Sequence, residues 1–151
     1  MREIASLQDL GALVGTDVAQ SRWFDLPQQR IDTFADATDD HQWIHVDPER
    51  CRRESPFGVP IAHGFLTLSL LPAMLESALR IGGLRLTINY GVNRLRFPAP
   101  VPVDSRVRAS FALQSFEPIE GGAQIVWQVT VEREGGAKPV CAAEFVLRLY
   151  N

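Results

Sequence analysis

Cysteine is scarce in this chain. Two thiols, Cys51 and Cys141, stand far apart in 151 residues, and no C-x-x-C pair occurs. That rules out a disulfide framework and leaves no cysteine with zinc-ligand spacing, so two reduced thiols in a cytoplasmic protein are expected. An excess of positive charge is missing too. Lys and Arg number 15 against 18 Asp and Glu, for a net charge of -3 and a pI near 5.6. Binding to nucleic acid or to an anionic membrane usually needs a basic face, so neither partner is expected. Long hydrophobic runs are absent. The longest, Phe65 to Leu75, is broken by Thr67, Ser69 and Pro72 and is too short to cross a bilayer. The opening stretch "MREIASLQDLGALVG" carries acids and no continuous apolar run, so no signal peptide is expected. No G-x-S-x-G surrounds Ser55, Ser69 or Ser77, and the glycine pairs form no G-x-G-x-x-G. A serine hydrolase and a dinucleotide fold therefore lack support.

What is present reads as one globular domain over residues 1–151, with 46% apolar and 22% charged residues. No internal repeat or linker divides it. Ser6, with Asp9 three residues on, begins a short capped helix that stops before Gly15. "SRWFDL" reads as a strand. "PQQRIDTFADATDD" opens with Pro27 and spaces Ile31, Phe34 and Ala35 at helical intervals, so a helix ending near Asp39 is expected. "DPERCRRE" reads as another helical turn and "SPFGVP" as a loop. From Gly64 the run "GFLTLSLLPAMLESALRIGG" is apolar on nearly every side, which predicts one long buried helix kinked or split at Pro72. The second half alternates. Four strands are expected, beginning at "LTINYGVNRLRFP", "SRVRASFALQSF", "AQIVWQVTVERE" and "PVCAAEFVLRLY". A sheet with one apolar face must cover it, and one very apolar helix is available. The expected class is α+β, an antiparallel sheet wrapped around a long central helix.

The chemistry concentrates in "ATDDHQWIHVDPER". Asp40 and His45 are five residues apart. That is roughly 140° of helix rotation, and on a strand it means opposite faces, so they meet only if the chain bends between them. A bend is expected where the preceding helix ends. A carboxylate beside a neutral imidazole can hold a water and move its protons. Spacing alone leaves open the plainer reading, in which Asp40 caps a turn and His45 is a satisfied polar residue. A metal site is a third reading. His41 and His45 have the spacing of H-E-x-x-H, but Gln42 stands where the Glu belongs.

A second feature is "IAHGF", Ile61 to Phe65. Gly64 stands where the long helix should begin, and a free N–H there could polarise a carbonyl oxygen that gains charge. His63 precedes it. Asn89, Gly91 and Asn93 share one face of a strand, which reads as a solvated face. Arg85, Arg94 and Arg96 read as surface charge.

Together these stretches resemble a known family. "D-D-H-Q-W-I-H-V-D" followed by "I-A-H-G-F" is similar to the signature of MaoC-like (R)-specific enoyl-CoA hydratases, G-D-x-N-P-I-H and then A-H-G-[MF]. "Q-W-I-H-V-D-P-E-R" and "N-Y-G-V-N-R-L-R-F-P-A-P-V-P-V" resemble the single-domain NodN-like branch. The resemblance runs from about Trp23 to the last strand. It implies a hotdog fold, a homodimer with sheets joined edge to edge, acyl-CoA at the interface, and reversible hydration of trans-2-enoyl-CoA to (R)-3-hydroxyacyl-CoA. It makes Asp40 and His45 the catalytic pair and Gly64 the oxyanion donor. It implies no metal and no redox cofactor, because the thioester itself acidifies the α-carbon, and CoA belongs to the substrate. Three departures stand out: Asp39 for Gly, Gln42 for Asn, and Trp43 for Pro. Asp39 is expected to face solvent, since two carboxylates buried together would raise one pKa. Gln42, Trp43, His63, Ser69, Asn89 and Asn93 are the further substrate-binding candidates. Two other functions remain. One is a thioesterase on the same fold, for which Glu76 is the one further acid on the central helix. The other is an acyl-CoA or acyl-carrier binding module without turnover.

Overall fold

The computed structural model describes all of residues 1–151. Ser6 caps the first helix as expected: the Asp9 N–H donates to its Oγ, and α1 runs Leu7–Gly11. It follows a three-residue strand, β1, at Arg2–Ile4. Then come β2 at Asp17–Gln20 and β3 at Phe24–Leu26, the second half of the expected "SRWFDL" strand. Pro27 precedes α2, Gln28–Thr38, which buries Ile31 and Ala35 on one side. Two short helices follow, α3 at Trp43–Val46 and α4 at Pro48–Glu54. Asp47 caps α4 by accepting from the Arg50 N–H.

The long helix needs correction. Residues 64–83 form not one helix but three pieces: α5 at Gly64–Ser69, α6 at Leu71–Ala78, and a strand, β4, at Leu79–Ile81. The helical direction breaks at Leu70, just before Pro72 in the first turn of α6. A proline there has no N–H for the carbonyl four residues back. The last residues leave the helix because β1 offers a parallel partner, pairing Arg2 with Leu79 and Ile4 with Ile81. Strands β1, β2 and β4 are three or four residues long, too short for their alternation to stand out in the sequence.

The four later strands are where the alternation puts them: β5 at Leu86–Arg96, β6 at Ser105–Ile119, β7 at Gly122–Arg133 and β8 at Cys141–Tyr150. Their sheet has the order β2-β6-β7-β8-β5, with β3 also on β6, and every pairing is antiparallel. The inward residues Val107, Phe111, Ile125, Trp127 and Leu147 are buried against Leu66, Leu71 and Met74 of α5 and α6. Burying each such side chain contributes about 1.5–3 kcal/mol, which is why the sheet closes over the helical pair. This is the hotdog arrangement, with a two-piece central helix. Strand β5 lies at the sheet edge and is exposed along almost its whole length. No helix is long and apolar enough to cross a membrane.

Candidate active site

The bend required between Asp40 and His45 is present. Helix α2 ends at Asp39, whose φ of 59° and ψ of 20° are left-handed. The chain then turns through Asp40–Gln42 into α3, which carries His45. Glycine holds this conformation without cost, whereas an L-residue pays roughly 1–2 kcal/mol, with Asp and Asn the most tolerant. That explains why the related pattern has Gly where this chain has Asp39. Asp39 is exposed, as expected. Asp39→Gly is therefore expected to leave the melting temperature equal or slightly raised, and Asp39→Val to lower it, as thermal unfolding would show.

His45 is buried and held at both its ring and its backbone carbonyl. Its Nδ1 lies 2.7 Å from the Ile61 carbonyl oxygen. Because a carbonyl only accepts, Nδ1 carries the proton and Nε2 of the neutral ring is left as a base. The Gln28 side chain donates to the His45 carbonyl at 2.8 Å. The Ile61 N–H donates to the Ile44 carbonyl at 3.0 Å, which joins α3 to the segment leading into α5. Burial pushes the His45 pKa below its ordinary value. The bond to Ile61 opposes that shift, His63 adds to it, and Asp40 raises the pKa slightly.

A carboxylate oxygen of Asp40 and ring nitrogens of His45 and His63 lie within 4.8 Å of one another. The carboxylate itself is exposed and accepts from the Gln42 N–H at 3.4 Å. His41 is elsewhere. It is exposed and bonds to Asp36 at 2.9 Å, which raises its pKa, so the His41–His45 metal reading loses its geometry.

Gly64 is the first residue of α5. Its N–H makes no hydrogen bond within the chain. A cavity of about 290 Å³ opens at Gly64, lined also by Phe57, Ile61, Thr67, Phe97 and Val101. A side chain at position 64 would meet the Phe97 ring at 2.8 Å, so either that ring or the start of α5 would have to move.

The other candidates scatter. Gln42 is exposed at the start of α3, and its side chain makes no capping bond. Trp43 is half-buried under the Arg50 guanidinium, 4.3 Å from the ring centre, and lines none of the four main cavities. Ser69 and Asn89 share a cavity of about 330 Å³ between α5 and β5, without Gly64 or His45. Asn93 sits exposed on β5 opposite Glu144. His63 is the most deeply buried of these candidates. It is 2% exposed and its ring stacks on that of His45, with centroids 3.8 Å apart. Glu76 lines a separate cavity of about 490 Å³ between α6 and the sheet, which includes none of Asp40, His45 or Gly64. Gln28 was not a sequence candidate. Nothing in its spacing signals contact with a residue 17 positions away. Both thiols are free and buried. Burial raises the pKa of Cys51, and pushes that of Cys141 up to about 11.

Site and fold together define a hotdog protein with an Asp/His pair and a free backbone donor. Residues 9–136 match the model of the MaoC like domain. Over 149 residues the chain is 52% identical to 3-hydroxyacyl-thioester dehydratase Z of Mycobacterium tuberculosis, covering 98% of each. It is 46% identical over 144 residues to nodulation protein N of Rhizobium leguminosarum, covering 93% of this chain and 89% of the relative. An unliganded R-hydratase from Pseudomonas aeruginosa superposes with a TM-score of 0.71 at 22% identity, covering 91% of this chain and 82% of that one. The chain belongs to the MaoC-like family.

Proposed function

We propose that this protein is an (R)-specific enoyl-CoA hydratase, adding water reversibly to trans-2-enoyl-CoA to give (R)-3-hydroxyacyl-CoA. The observation that carries the reading is the pair itself. Asp40 and His45 converge within 4.8 Å, and the bond from Nδ1 to Ile61 leaves Nε2 as the base. The name of the mycobacterial relative supports a thioester dehydratase, and the family resemblance supports the R product.

In the proposed reaction, Asp40 and His45 hold one water between them. His45 Nε2 takes a proton as the water oxygen bonds to C3 of the enoyl group. The double-bond electrons move toward the thioester, whose oxygen gains charge and accepts from the Gly64 N–H. The proton then passes from the pair, or through its water, to C2. Nothing is oxidised, and no metal or redox cofactor takes part. CoA enters and leaves with the substrate. A thioesterase built on Glu76 has less support, because Glu76 and Gly64 share no cavity. The test runs in reverse. Enoyl absorbance should appear from (R)-3-hydroxybutyryl-CoA and not from the (S) isomer, with no free thiol released. Thiol release without enoyl product would overturn the reading.

The reaction's pH dependence follows from His45. The working base is the neutral ring, and burial lowers its pKa from the ordinary 6.5. Activity should hold as the pH falls through 6.5 and decline only below it, as the ring takes a proton. A profile of kcat/KM against pH with its acid limb centred above 6.5 would contradict this assignment.

A second copy of the chain is part of the proposal. Strand β5 is an edge whose outward residues Leu86, Ile88, Tyr90 and Val92 are 51%, 40%, 54% and 37% exposed. An open, apolar edge strand invites another strand. Sedimentation should give twice the chain mass of 16.8 kDa, and Ile88→Glu with Tyr90→Glu should shift the mass toward one chain.

A further inference from the structure

His63 belongs to no step of the proposed reaction, yet it is one of the most deeply buried polar groups near it. It immediately precedes α5 and is 2% exposed. Its Nε2 lies 2.9 Å from the backbone carbonyl oxygen of Asp40, 23 residues away. The carbonyl only accepts, so in the neutral ring the proton sits on Nε2. Nδ1 is sealed from solvent and has no partner. The ring stacks on His45 with centroids 3.8 Å apart and planes 24° from parallel, and Phe34 of α2 packs 4.9 Å away.

The need for such a group follows from how Asp40 is attached. His45 has its ring fixed by Ile61 and its carbonyl by Gln28. Asp40 sits on an exposed turn after a left-handed residue, and its carboxylate has one long bond from Gln42. The bond from His63 is the short one that ties residue 40 to the rest of the site. The same ring is also the surface on which His45 rests.

We infer that His63 is a positioning residue that sets the distance between Asp40 and His45, by holding the Asp40 carbonyl and by stacking under the His45 ring. The inference rests on the hydratase reading for its effect on rate. It does not rest on that reading for its geometry.

Two variants separate the two contacts. His63→Phe keeps a flat ring but cannot donate. His63→Gln keeps a donor amide near Nε2 but has no ring. Hydration of crotonyl-CoA by His63→Phe should show kcat reduced about 10- to 100-fold with KM nearly unchanged, the size expected when a reacting group is misplaced by about an ångström. His63→Gln should recover part of that loss. In an Asp40→Asn background His63→Phe should cost almost nothing further, since it acts through Asp40. An equal loss in both backgrounds, or a change in KM alone, would overturn the inference. Nitrogen-15 shifts of the His63 ring, in protein as purified, should show the proton on Nε2. In His63→Phe, amide exchange over residues 39–42 should quicken. A proton on Nδ1, or unchanged exchange, would overturn the inference even with an active enzyme. A parent protein that hydrates nothing but shows both signatures would sink the hydratase reading and leave the tether standing.

Discussion

His45→Asn is expected to lower kcat for enoyl-CoA hydration by about 10²–10⁴-fold, the usual worth of a general base. The substitution is chosen for what it keeps. The Asn amide reaches about as far as Nδ1, so it can still donate to the Ile61 carbonyl that Nδ1 meets at 2.7 Å. That bond is worth about 1 kcal/mol, and retaining it should hold α3 in place. What disappears is Nε2. Asp40→Asn should lose rate on the same scale for a different reason: it keeps size and hydrogen bonding but gives up the negative charge beside His45. Asp40 is exposed, so its removal should leave the melting temperature nearly unchanged. Steady-state kinetics beside thermal unfolding decides both. Full activity in either folded variant would remove that residue from the chemistry.

Gly64→Ala carries the second large effect. The added methyl would lie 2.8 Å from two carbons of the Phe97 ring. Either Phe97 rotates away or the start of α5 shifts, and the Gly64 N–H shifts with it. A displaced oxyanion donor costs up to about 10²–10³ in kcat. The effect should fall on kcat more than on KM, because the donor meets its full charge only as the reaction proceeds. Adding Phe97→Ala to Gly64→Ala makes room for the methyl and should restore part of the rate. If Gly64→Ala alone keeps full activity, Gly64 is not the donor.

Much of this was legible in the residues. Strands β6, β7 and β8 alternate over much of their length, so their buried faces were readable: Phe111, Trp127 and Leu147 fall where the pattern puts them. The central helix was legible as apolar and as broken near Pro72, but not as ending at Ala78. Its last residues become β4 only because β1, more than 70 residues earlier, pairs with them. Strand formation of that kind depends on a distant partner and leaves no local periodicity. At the candidate site, the motif pointed to Asp40, His45 and Gly64, and the structure brings the first two together. The bend that joins the first two could be inferred only from their odd spacing. The contacts of Gln28 and His63 are tertiary, made by a side chain reaching a backbone carbonyl in another element. A carbonyl has the same chemistry at every position, so no residue type marks it as an acceptor. Ser69 and Asn89, separate candidates in the sequence, share a cavity that includes neither Asp40 nor His45.

The central claim is that Asp40 and His45 add water to a carbon–carbon double bond while the thioester stays whole. Purified protein incubated with crotonyl-CoA in oxygen-18-labelled water tests it directly. One labelled oxygen on C3 of the (R)-3-hydroxyacyl product is expected, with no free CoA. Label in a free carboxylic acid, with CoA thiol released, would contradict it.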